Sequence, residues 1–150
     1  MKTTKTLIAA FAAFFVFAAT PAAAQNVRVV LKGHDPVAYF TEGKPMKGDA
    51  KFSYDLDDER YYFANAKHRA LFAAEPEKYA PQFSGYCTGS MARGVRNEGN
   101  PDSWVMVDGR LYVFGASDPQ VALKHKENAE KDLDAFRVKV AAAAKNFARK

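Results

Sequence analysis

The sequence predicts an α+β fold: a small antiparallel sheet built from hairpins, with helices after the second strand pair and at the C-terminus. Three observations carry this. Asp108-Gly109 stands between the alternating runs Ser103 to Val107 and Arg110 to Phe114, and Asp-Gly suits a turn that needs positive φ at both central positions. Lys51 to Leu56 and Arg60 to Phe63 form a second alternating pair around the acidic turn Asp57-Asp58-Glu59. The last segment sets Leu133, Phe136, Val140, Ala144 and Phe147 on one stripe at helical spacing.

Taken in order, the chain opens with the features of an export leader. Lys2 and Lys5 precede an uninterrupted apolar run from Leu7 to Ala19, and Ala22-Ala23-Ala24 supplies a small-residue cleavage site before Gln25. The run is too short for a membrane-spanning helix, which needs about 20 residues. The expectation is a leader at residues 1–24, a single domain at 25–150, no stable membrane span after leader removal, and a periplasmic or secreted location. No internal repeat is evident in the sequence.

Val27 to Leu31 reads as a first strand, ended by Gly33-His34-Asp35-Pro36 because Pro36 disfavours helix at Asp35. Val37-Ala38-Tyr39-Phe40 is short, apolar and expected to be buried. Thr41 to Gly48 reads as a surface loop. Phe52, Tyr54 and Leu56 share one strand face. Asn65 suits the cap of a helix that Pro76 stops. On that helix His68 is expected on the exposed or half-buried side. Glu77 to Tyr79 makes a second short turn of helix. Thr88 to Arg93 reads as another short helix, and Arg96 to Asp102 as an exposed loop. Asp118 suits a helix cap with Pro119 at the first helical position, where its missing amide costs nothing. His125, between Lys124 and Lys126, is expected to be solvated.

The net charge is +5 with lysines and arginines scattered among acids. That argues against a nucleic-acid partner, which wants a basic stripe. Cys87 is the only cysteine, so no intramolecular disulfide is available. It is a buried apolar group, a reactive or intermolecular thiol, or a metal ligand.

Gly33-His-Asp-Pro-Val-Ala-Tyr-Phe40 and Tyr61-Tyr-Phe-Ala-Asn, followed by Phe72 and Glu75-Pro-Glu-Lys-Tyr79, resemble the YHS domain family. Gly85-Tyr86-Cys87 and Trp104-Val-Met-Val-Asp-Gly-Arg-Leu-Tyr112 are similar to features of its exported single-domain bacterial members. The resemblance places the family core at residues 33–83, extended by the Trp104–Tyr112 hairpin and the C-terminal helix. It implies transition-metal handling. Metal-associated members carry cysteines at the positions matching Ala38, Ala64 and His68. Two of these are alanine here, and only His68 keeps a donor.

A zinc or copper(I) site wants three or four converging ligands. A set rebuilt from His34, His68 and Cys87 is the arrangement the resemblance leaves open. Three functions follow as expectations. The first is a non-enzymatic binding protein of the cell envelope linked to a copper or zinc ion. The second is a metal-free interaction or small-ligand domain, with an aromatic cleft drawn from Tyr39, Tyr61, Tyr62, Tyr86 and Trp104. The third is a thiol enzyme using Cys87, which would need His34 or His68 beside it. The expected partner is accordingly a metal ion, a small ligand or an envelope protein.

Overall fold

A computed structural model describes residues 27–149. The expected leader lies outside the described residues. The fold is α+β. Strand β1 (Arg28–Val29), helix α1 (Ala38–Thr41) and the hairpin β2 (Asp49–Leu56) and β3 (Glu59–Phe63) come first. Helices α2 (Ala66–Ala74), α3 (Pro76–Tyr79) and α4 (Thr88–Met91) follow. The hairpin β4 (Asn100–Val107) and β5 (Arg110–Phe114) leads to the long helices α5 (Pro119–Lys131) and α6 (Leu133–Phe147).

The strands make two sheets rather than one. The first has the order β1-β3-β2, and the second is β4-β5 alone. β1 pairs with β3 in parallel, whereas β2-β3 and β4-β5 are antiparallel. The expected first strand is cut to two residues because Val30–Gly33 coils into a tight turn. Leu31 and Lys32 adopt left-handed backbone there, at φ 52° and 50°. Such geometry is costly for residues with a Cβ, and it is held by the burial of Val30 and Leu31, each 1% exposed.

The caps read from the sequence are in place. Asn65 Oδ1 accepts from His68 N at 2.9 Å, and Asp118 Oδ1 accepts from Gln120 N at 2.8 Å. Pro76 and Pro119 each occupy the first turn of a helix. The final helical segment is broken at Asp132, which caps α6 through Ala135 N. The buried face of α6 comprises Phe136, Val140, Ala143 and Phe147. Leu133 and Ala144, expected on that face, are exposed. The expected loop at Arg96 to Asp102 is also corrected. Asn100 to Asp102 belong to β4, and Gly99 and Pro101 are buried.

Two apolar cores share the second hairpin. Trp104, Met106, Leu111 and Val113 pack into a core with Val30, Phe63, Phe72 and Tyr79. Val105, Val107, Tyr112 and Phe114 pack into another with Met91, Phe136 and Ala143. Alternation along β4 and β5 thus serves both faces, since successive strand side chains point in opposite directions.

The two hairpin units also repeat one another. Each begins with a tight turn holding two left-handed residues and a glycine: Leu31, Lys32 and Gly33, then Phe83, Ser84 and Gly85. Each continues through an isolated antiparallel bridge, His34 with Lys47 and Tyr86 with Glu98. A short helix lies within each bridged loop, α1 in the first and α4 in the second. Gly48 N donates to Gly33 O, as Gly99 N donates to Gly85 O. Register shifts fall between Asp49 and Ser53, and between Asn100 and Trp104. Each turn has a left-handed aspartate, Asp57 and Asp108. From Gly48/Gly99 to Phe63/Phe114 the two units keep one constant spacing. Within it, few side chains match, which is why the sequence showed no repeat.

Candidate functional site

Asp35 and His68 form a buried pair. Asp35 precedes Pro36, and its side chain folds back over the start of α1. Oδ1 accepts from Val37 N at 2.8 Å and from Ala38 N at 3.3 Å. Oδ2 accepts from Ala64 N at 2.8 Å and lies 2.6 Å from His68 Nδ1. On its other side the ring places Nε2 3.4 Å from Thr41 Oγ1. The Asp35 side chain is 0% exposed and that of His68 is 6%. The expectation that His68 sits on an exposed or half-buried helix face is therefore overturned. Its helix presents that face to α1, and the polar ring is accommodated because Asp35 meets it.

Ala38, Ala64 and His68, the positions singled out by the resemblance, all bond to Asp35, two through a backbone amide and the third through its imidazole.

His34 and Cys87 lie elsewhere. His34 Nδ1 is 3.0 Å from Leu31 O within the first tight turn. Cys87 is free, 8% exposed, and packed in the second core. Among the described residues, no group of three or more His, Cys, Asp or Glu side chains is placed to hold a metal ion. Tyr39 and Tyr61 are core residues, and Tyr86 lies beneath the guanidinium of Arg28 at 4.0 Å. Trp104 lines a shallow cavity of about 380 Å³ beside Leu123 and Lys126.

A larger cavity, about 660 Å³, opens against Cys87. Its lining includes Phe114, His125, Ala129 and Phe136, together with the charged Arg93, Lys131, Asp132 and Lys139. Its volume is in the range of small-molecule pockets. β5 supplies Phe114, the N-cap of α4, α4 itself and the loop after it supply Cys87, Gly89 and Arg93, and α5, α6 and the Asp132 junction between them supply the rest.

His125 is not solvated as expected. Its ring lies 4.9 Å from that of Phe114, and Nδ1 is buried with no hydrogen-bond partner. Burial, and then the charge of Lys139, hold its pKa below the ordinary imidazole value. This brings a histidine to the cavity that Cys87 lines, one the sequence reading had set aside.

Asp35, His125, Arg93 and Lys139 are the residues missed from sequence. Asp35 had a local signal, because an Asp that accepts from the amide two residues on is a common turn device. His125 had one too: Ala122, His125 and Ala129 recur at helical spacing and form the inward side of α5. Compared with family models, curated proteins and solved structures, the chain gives no significant match. No helix of the described residues is long and apolar enough to cross a membrane.

Proposed function

We propose that this chain is an exported binding domain of the cell envelope on a YHS-like scaffold, and that it holds a small molecule rather than a metal ion. One observation carries the choice. His68, the one donor left at the positions that the resemblance marks for metal, is engaged with Asp35, whereas a cavity of about 660 Å³ stands open at Cys87. A buried carboxylate already bonded to three backbone amides and an imidazole has little free lone-pair capacity for a cation.

The cavity favours binding over catalysis. Thiol chemistry requires a base oriented by a third group. His125 Nδ1, which such a group would hold, has no partner. Export accounts for the leader features at residues 1–24, and mass spectrometry of protein recovered from the periplasm or medium is expected to find Gln25 at the N-terminus.

The binding reading is tested by a fragment screen, with charged and neutral members, followed by amide chemical shifts. Hits are expected to move the amides of Cys87, Phe114, Ala129 and Phe136, and Ala129→Leu is expected to abolish them by filling the cavity. A screen in which no fragment perturbs these residues, alongside saturable uptake of copper or zinc, would overturn it in favour of the metal-linked function.

A further inference from the structure

The cavity at Cys87 is distinguished by its position in the repeat and by its charge. Cys87 occupies in the second unit the place that Asp35 holds in the first. Asp35 N donates to Met46 O across its loop, as Cys87 N donates to Asn97 O across the other. Each residue follows the bridge residue, His34 or Tyr86, and precedes or opens the short helix. In the first unit the ring of His68 closes this place. In the second the corresponding place is a cavity. The repeat therefore has one closed copy and one open copy.

The open copy has a distinct charge. Arg93, Lys131 and Lys139 line it against a single carboxylate, Asp132. Asp132 Oδ1 is engaged with Ala135 N. Among the described residues none of the three cations is in an ion pair. The same lining holds Phe114 and Phe136, each 4% exposed, with Ala129 and the Cys87 thiol. The cavity thus combines apolar surface with positive charge that is held in no ion pair among the described residues.

Building on the binding function above, we infer that the cavity takes a small organic anion with an apolar body, a carboxylate of medium chain length being the fitting class. The apolar body lies against Phe114 and Phe136, and the carboxylate meets Arg93 and Lys139. Arginine suits this role because its planar fork pairs two donors with a carboxylate. The pKa of His125, held down by burial first and by the charge of Lys139 second, is consistent with a cation close to the cavity.

The test is calorimetric titration of the purified protein with octanoate and with 1-octanol, its neutral counterpart, mapped by amide shifts. Octanoate is expected to bind at the Cys87 cavity about tenfold or more tightly than 1-octanol, an advantage of about 1.4 kcal/mol, and to weaken as salt rises. Arg93→Gln with Lys139→Gln is expected to erase the preference. Both residues are exposed, so the melting temperature serves as the control for folding. Equal affinity for the two ligands, or octanoate shifts centred on Trp104 rather than Cys87, would overturn the anion assignment while leaving a binding cavity in place. Binding of neither, together with an empty fragment screen, would overturn both.

Discussion

Replacing Asp35 with alanine removes the acceptor from four donors at once. The amides of Val37, Ala38 and Ala64 and the ring of His68 all point at this carboxylate, and its side chain is 0% exposed. A buried donor left without a partner costs about 1–3 kcal/mol, and hydrogen bonds to a charged group lie at the upper end of the usual range, about 1.5–3 kcal/mol each. These overlap, and some donors will find water, so a loss of about 4 kcal/mol is expected for Asp35→Ala. That is a large share of the roughly 5–15 kcal/mol that holds a domain folded. At about 4 °C per kcal/mol for a chain of this size, the melting temperature should fall by about 15 °C. Trp104, the only tryptophan, packs edge-on against Tyr39 at 5.2 Å and gives a fluorescence signal for urea unfolding. His68→Leu in the same background should show a coupling energy of about 1–3 kcal/mol with Asp35→Ala. A loss below about 1 kcal/mol for Asp35→Ala, or strict additivity with His68→Leu, would refute the view that this pair locks α1 to α2.

Three further outcomes are expected. A Cβ on Gly48 would lie 2.6 Å from the backbone carbon of Tyr62, and one on Gly99 would lie 2.5 Å from Gly85 O. Both Gly48→Ala and Gly99→Ala should therefore cost about 1–3 kcal/mol in thermal unfolding, and a neutral result at either would refute the tight crossing. Lys32 is exposed with φ 50°. Lys32→Gly should relieve left-handed strain and raise stability by up to about 1 kcal/mol, whereas unchanged or lower stability would show the turn to be unstrained. His125 has a folded-state pKa below its unfolded one, chiefly through burial and then through Lys139. The unfolded chain therefore takes up the proton first. The stability this residue contributes is intact above the unfolded value of about 6.5 and is lost as pH falls below it. His125→Asn should flatten the fall in stability between neutral and mildly acidic pH, and an unchanged slope would refute the assignment.

Local chemistry made much of the fold legible in advance. Asp108-Gly109 and the alternating runs around it specify a hairpin by themselves, because turn geometry depends on neighbouring residues only. Asn65, Pro76, Asp118 and Pro119 mark helix boundaries for the same reason. The strand expected at Val27 to Leu31 has suitable residues, but burial of Val30 and Leu31 holds the chain in a left-handed turn instead. The stripe expected on the last helix keeps Phe136, Val140 and Phe147, whereas Leu133 in the first turn is exposed and Ala143 takes the buried place expected of Ala144.

Local pattern sets the hairpins, the helix caps and the lone thiol. Packing between remote segments decides the surroundings of the histidines and of that thiol. Whether a helical histidine is solvated or buried depends on what packs over it, and for His68 that is Asp35 from a distant loop. Whether Cys87 is inert or lines a cavity depends on α5 and α6, which bring His125 and Lys139 to it. Contacts within a few residues are encoded by pattern. Contacts between remote segments follow from how the two cores share one hairpin, which no local pattern records.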